Sequence, residues 1–184
     1  MQPRGSDEKD KGTTMNLMSI LIPEERIRVI NKKVIDTLSK KFGVEINIER
    51  NEVKISGKTV DILKVKDIIL AIGRGFSPEH AYALENDEYV IDIINLSGFS
   101  PNRQKVIRSR VIGTGGKIRS AIEDATECYV SVYGKTISII GNWQDVKNAH
   151  KIIEMLINGA EHTTILKILK DFKMERIKWL KKQS

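Results

Sequence analysis

The chain repeats itself at a constant offset of 84 residues, and any fold it adopts must honour that. Residues 44–48 fall on residues 128–132, and residues 53–57 fall on residues 137–141, each later segment closing on glycine. Alternation of apolar and polar side chains over such short runs is the pattern of half-buried strands. Gly75 falls on Gly159. Between the strands and these glycines lie two helical patterns: residues 59–72, with Ile62, Leu63, Val65, Ile69 and Ile72, and residues 143–157, with Val146, Ala149, Ile152, Ile153 and Leu156. Apolar positions recurring at three and four residues let each helix pack one face on a sheet. Upstream, Val34 and Leu38 fall on Ile118 and Ile122, which places a short amphipathic helix in each copy.

Each copy opens with a strand, residues 18–22 in the first and 89–95 in the second. These lie 71 residues apart, so the second copy carries an insertion before its short amphipathic helix. Ser100 and Pro101 begin a helix that fills it, with Ser at the N-cap and Pro at the first helical position. That helix runs to about Ile112. The order strand, helix, helix, strand, strand, helix, found twice, predicts an α+β protein of two modules. Each is a three-stranded antiparallel sheet covered by helices on one face. Further helices over residues 78–84 and 163–182 follow the modules. Residues 1–16 are assigned as a disordered tail, 17–86 as the first module and 87–184 as the second with its C-terminal helix.

Charge divides unevenly between the halves. The 184 residues hold 31 Lys and Arg against 24 Asp and Glu, a formal charge of +7. Residues 17–100 carry 12 basic and 13 acidic side chains, whereas residues 101–184 carry 16 and 8. Residues 101–120 hold six basic groups and no acidic one. Such asymmetry suits a polyanion bound by the second half, although a solvated basic face would have the same composition. No apolar run approaches the roughly 20 residues that cross a bilayer. One cysteine, Cys128, forms no internal disulfide, and His80, His150 and His162 are too scattered to be metal ligands. With a polar N-terminus and no secretory signal, the expected compartment is the cytoplasm.

The basic stretch contains Val111-Ile112-Gly113-Thr114-Gly115-Gly116-Lys117-Ile118 between two helical patterns. Three glycines in four positions remove the Cβ atoms that would hold another backbone away. The helix opening at Gly116-Lys117 points free N–H groups and its positive dipole end into the turn, a setting that holds phosphate. Arg108, Arg110, Lys117 and Arg119 surround it in sequence. A Walker loop would need glycine at Val111 and Ser or Thr at Ile118, and the dinucleotide fingerprint would need glycine at Ile118 after a strand. Both fail. What fits is G-x-x-G, Gly113 to Gly116, between two helices and followed by two strands and a helix.

In that setting the segment resembles a KH RNA-binding domain of type I (βααββα), whose G-x-x-G loop clamps about four nucleotides of single-stranded backbone. The resemblance implies a groove completed by Val111, Ile112, Ile118 and Ile122 and by the strand over residues 128–133, with Lys135 in the loop between strands. Each of these apolar side chains would serve equally well as plain core. The candidate RNA-contacting residues are Arg103, Arg108, Arg110, Ile112, Gly113, Thr114, Gly115, Gly116, Lys117, Arg119 and Lys135. The first module places Val29-Ile30-Asn31-Lys32 at the equivalent turn and keeps no glycine there, so it is read as a KH-like fold without the clamp. Lys32 and Lys33 are read as solvated, with contact to RNA the alternative.

Two consecutive KH modules, the first degenerate, together with residues 118–124 leading to residues 134–141, resemble the ribosome-assembly KH proteins called partner of NOB in their short archaeal form. Abundant isoleucine, lysine and glutamate agree with a thermophilic source. The resemblance implies a factor that binds the single-stranded 3′-end region of small-subunit rRNA and aids the endonuclease that matures it. It also implies contact with the α subunit of translation initiation factor 2. A protein-interaction adaptor linking RNA to such a nuclease or initiation factor is the competing reading. No acid-base pair, nucleophile constellation or metal spacing supports an enzyme, and no cofactor is implied. Trp143 and Trp179 are read as core and helix anchors, and His150, His162 and Cys128 as lacking partners that would make a site. On the C-terminal helix, Ile165, Ile168, Leu169, Phe172, Ile177 and Leu180 share a face, flanked by lysines that are either solvated or in contact with RNA backbone.

Overall fold

The structure, a computed structural model, describes residues 16–183. The tail assignment therefore lies outside the described residues except at Asn16, which opens the first strand and donates from its side chain to Thr59 Oγ1 at 2.6 Å. The first module consists of β1 (Asn16–Leu21), α1 (Glu24–Ile27), α2 (Lys32–Phe42), β2 (Glu45–Glu49), β3 (Glu52–Gly57) and α3 (Thr59–Gly73). After α4 (Pro78–Ala81) and a 3-10 turn (Tyr82–Glu85), the order returns as β4 (Tyr89–Asn95), α5 (Pro101–Ile112), α6 (Lys117–Thr126), β5 (Tyr129–Tyr133), β6 (Thr136–Asn142) and α7 (Trp143–Ile157). α8 (His162–Gln183) closes the chain. Both sheets are antiparallel, with strand orders β1-β3-β2 and β4-β6-β5.

The expected insertion is the length of α5: twelve residues, where α1 is a single turn of four. Ser100 caps α5 by accepting from the Arg103 N–H at 3.3 Å, and Pro101 occupies the first turn. The helix expected over residues 78–84 is instead α4 followed by the 3-10 turn. β1 begins two residues before the expected start and leaves Ile22 outside the ladder, its N–H bonded to the Asn51 carbonyl at 2.8 Å.

Each module has its own apolar core. Leu38, Val53, Ile55, Val65, Ile69 and Ile72 anchor the first, and Ile107, Val111, Ile122, Ile137, Ile139 and Ile153 the second. The two sheets differ in what covers their second face. In the first sheet that face carries Leu17, Ser19, Lys54 and Glu45 and is open, with Leu17 70% and Leu21 72% exposed. In the second sheet it lies against the first module. Ile140 of β6 belongs to the first module's core, where Tyr89 and Ile91 of β4 also pack. The Ser131 hydroxyl donates to the Arg74 carbonyl at 2.8 Å, the Tyr133 hydroxyl donates to Glu25, and the His80 ring stacks on Tyr129 with centroids 4.1 Å apart. β6 is consequently buried on both faces.

Gly75 sits inside this contact. At φ +99°, a Cβ there would lie 2.6 Å from Ser131 Oγ and 2.7 Å from Tyr133 Cβ, whereas at its repeat partner Gly159, φ +100°, a Cβ would meet nothing within 4 Å. Gly159→Ala should therefore cost only backbone strain, about 1–2 kcal/mol, and Gly75→Ala about 3–4 kcal/mol once overpacking is added. Chemical denaturation of the two variants checks this. Equal losses would show that the modules are not held as tightly as the geometry indicates.

Candidate nucleic-acid interface

The turn between α5 and α6 is built by three glycines in the left-handed half of backbone space: Gly113 (φ +70°), Gly115 (φ +59°) and Gly116 (φ +79°). They serve different ends. A Cβ on Gly113 would strike the Ile118 side chain at 2.5 Å, so this glycine lets α6 fold tightly against the end of α5. Beside Gly115 and Gly116 a Cβ would meet nothing within 4 Å, so the backbone there is open to an approaching group. No side chain caps the start of α6. The Gly116 and Lys117 N–H groups are bonded to the Gly113 and Thr114 carbonyls in a 3-10 turn, but the positive dipole end of α6 faces that opening with no side chain over it, which is an arrangement that receives an anion.

The first module shows what closing such a site looks like. Asn31 stands at the repeat equivalent of Gly115, and its side chain accepts the Val34 N–H at 3.1 Å, capping α2 from within the chain. Ile30, one residue before, is buried at 2% exposure and fills the core. The first module's turn thus differs by more than added Cβ atoms: its own amide takes a helix N–H that an anion would otherwise bind.

The basic residues separate into two groups. Lys117, Arg119 and Lys135 are exposed, Arg119 lying 3.7 Å from Glu123 one turn on, and Arg108 reaches across to the Gly134 carbonyl at 3.0 Å. These four flank the glycine turn and the β5–β6 loop. Arg103 and Arg110 point elsewhere. Arg103 donates to the Ile157 carbonyl at 2.6 Å, and Arg110 to those of Leu156 at 3.0 Å and Ala160 at 2.5 Å, so both close the C-terminal end of α7. Residue numbering carries the signal for this role. Arg26 of the first module, 84 positions before Arg110, donates in the same way to Ile72 at 2.8 Å and Phe76 at 2.6 Å, each carbonyl again 84 positions earlier.

Comparison with known proteins adds to this geometry. Residues 90–174 match the family model for the second KH domain of PNO1, described as a eukaryotic type KH-domain (KH-domain type I). A KH domain-containing protein of Methanocaldococcus jannaschii is 40% identical over 169 residues, covering 86% of this chain and 74% of that protein. The chain belongs to the archaeal PNO1-type KH proteins. Among solved structures, a chain of the a/eIF2alpha–aDim2p–rRNA complex from Pyrococcus horikoshii OT3 superposes with a TM-score of 0.81. It is 34% identical, with 89% of this chain and 97% of that one covered. Dim2p from the same organism gives a TM-score of 0.77 at 36% identity, covering 85% and 99%. A protein of unknown function from Aeropyrum pernix gives 0.81 at 26% identity, covering 91% and 97%.

Within the second KH domain, Val111, Ile118 and Ile122 are core, at 0%, 3% and 0% exposure, and Ile112 is left half-buried beside the glycines. Cys128 is also buried; burial pushes its thiol up to about 11, and it bonds the Thr126 carbonyl. His150, read as lacking partners that would make a site, is paired through Nδ1 with Asp92, and Glu154 lies 3.4 Å from its other ring nitrogen. The tryptophans depart from their reading as anchors. Trp143 is 51% exposed with the Lys147 ammonium 4.2 Å above its ring, and Trp179 is 57% exposed. On α8, Ile165 and Leu169 are buried, but the apolar face is not covered beyond Phe172, because a 22-residue helix outruns the α6 surface on which it packs. Arg176 ties the distal half down through Asp145 at 2.8 Å and Glu127 at 3.3 Å. Among the described residues no helix is long and apolar enough to cross a membrane.

Proposed function

We propose that this KH protein is an RNA-binding ribosome-assembly factor that holds the single-stranded 3′-end region of small-subunit rRNA or its precursor through the second module, supporting its maturation. One observation carries the reading: with no side chain capping it, the start of α6 opens onto Gly115 and Gly116 with empty space beside them, flanked along the chain by Arg108, Lys117 and Arg119, and Arg108 reaches the β5–β6 loop that carries Lys135. The same turn in the first module is closed by its own asparagine. Support comes also from the Pyrococcus horikoshii complex, which holds aDim2p together with rRNA and a/eIF2alpha.

The test is binding of a labelled single-stranded RNA copying the 3′ end of small-subunit rRNA, against a scrambled RNA and a DNA of the same sequence. We expect clear preference for the rRNA end. With about four phosphates neutralised on a single strand, affinity should fall roughly fiftyfold between about 50 and 200 mM salt. Equal, steeply salt-dependent binding to all three would reduce the interface to a basic surface. The adaptor reading has its own observation, the open face of the first sheet with Leu17 and Leu21 exposed. It is compatible with RNA binding, and the partners it suggests are the rRNA-maturing endonuclease and the α subunit of translation initiation factor 2. Leu17→Glu with Leu21→Glu should then abolish capture of such a partner and leave RNA affinity intact.

A further inference from the structure

A cleft of about 660 Å³ lies between β4 and α7 and shares no lining residue with the glycine turn. Val90, Ile91 and Asp92, three consecutive residues of β4, all line it. Successive side chains of a strand point to opposite faces, so a cleft that touches three in a row lies along the strand's edge. That edge is free. β4 pairs with β6 alone, and apart from the Tyr89 N–H, bonded to the Asn86 carbonyl, none of its backbone groups bonds outside that ladder among the described residues. Every second residue of an antiparallel ladder turns its N–H and C=O outward, which gives the cleft a row of donors and acceptors. The opposite wall is one face of α7, where Trp143, Val146, Lys147, His150, Lys151 and Glu154 recur at three and four residues. From Trp143 to Glu154 that wall runs about 16 Å, the span of about five extended residues.

The repeat shows that the fold does not require such an opening. Asn16 pairs with Gly57 in the first sheet as Val90 pairs with Gly141 in the second, and Thr59 lies 84 positions before Trp143. In the first module the Asn16 side chain donates to Thr59 Oγ1 and closes this corner. In the second both positions are apolar and open, Val90 39% and Trp143 51% exposed. Exchanging a satisfied polar pair for two exposed apolar side chains adds nothing to the core, and it suits a ligand that covers them.

The walls select the occupant. Apolar side chains beside an unpaired strand edge are matched by a polypeptide, through its side chains and its own amides at once. A nucleic acid would answer the lysines and leave Val90 and the strand edge unmatched. The ammonium groups of Lys147 and Lys151 make no ion pair among the described residues, whereas the Asp92 carboxylate is held by His150, with Glu154 3.4 Å from the same ring. The uncompensated charge is therefore positive, and its complement is acidic.

We propose that this cleft receives an extended, acidic segment of a protein partner, which adds a strand to β4 and lays an apolar side chain on Val90 and Trp143. The test uses the full chain carrying Trp179→Phe, which leaves Trp143 as its only tryptophan. The probes are a blocked heptapeptide of alternating valine and aspartate, its fully N-methylated counterpart, the corresponding peptide of valine and lysine, and a scrambled single-stranded RNA. We expect the first peptide to change Trp143 fluorescence saturably, with a Kd of about 100 μM, and to slow amide exchange along β4. Val90→Asn with Trp143→Thr installs the first module's pair. Followed by calorimetry, it should bind the peptide more than about tenfold less tightly, with unchanged melting temperature and unchanged affinity for the rRNA 3′-end copy.

Absence of saturation by about 1 mM overturns the inference. Equal binding of the N-methylated peptide would mean that no strand is added, and equal binding of the valine and lysine peptide that the lysines are not read. Displacement of the peptide by the scrambled RNA would make the cleft a polyanion site. Each of these outcomes overturns it. So does a concentration-dependent dimer in sedimentation that Val90→Asn with Trp143→Thr abolishes, since the occupant is then a second copy.

Discussion

Gly115→Asp should lower affinity for the rRNA 3′-end RNA by about a hundredfold or more, the equivalent of roughly 3 kcal/mol. The magnitude comes from placing a carboxylate where a phosphate is meant to lie, at the positive end of α6. The fold should tolerate it. A Cβ at Gly115 meets nothing within 4 Å, and a φ of +59° lies in the left-handed region that Asp enters more readily than most residues. The aspartate could even cap α6 from within, as Asn31 caps α2 at the equivalent position. Circular dichroism and thermal unfolding would establish the fold, and fluorescence anisotropy the affinity. A folded variant that binds as wild type would sink the clamp.

Arg110→Met should behave in the opposite way, costing about 3 kcal/mol of stability and leaving RNA affinity within twofold. Its guanidinium bonds the carbonyls of Leu156 in the last turn of α7 and Ala160 just past it, and their loss leaves those acceptors short of a charged donor. Lys117→Met supplies the contrast. An exposed ammonium beside the turn, once removed, should leave stability unchanged and reduce the salt slope by about 0.7, one phosphate contact on a single strand. Unfolding titrations and binding at several salt concentrations separate the two. A weakened RNA complex from a fully stable Arg110→Met would restore that arginine to the interface.

These contrasts show where sequence reasoning reaches. Periodicity marked the repeated strands and the long helices α3 and α7, because each buries one regular face and so writes its period into the residues. The Ser100-Pro101 start of α5 was legible for a similar reason, since N-caps are local chemistry. The glycine turn was legible because three positive-φ positions in four residues have few other uses. Proximity along the chain groups Arg103 and Arg110 with the interface, and only the carbonyls at and just past the end of α7, 46 to 54 positions away, show where they point. Trp143 and Trp179 failed for a related reason: a large apolar side chain predicts burial only when some surface is there to cover it, and at the start of α7 and the far end of α8 none is.

The sequence by itself thus determined the element order, the pairing of modules and the glycine-lined start of α6, because all are written in contacts between near neighbours or in the 84-residue repeat. Tertiary structure decided which face of the second sheet is covered, and by what. His80 meets Tyr129 and Ser131 meets the Arg74 carbonyl across 49 and 57 positions, through faces whose period is the same whether they meet solvent or protein.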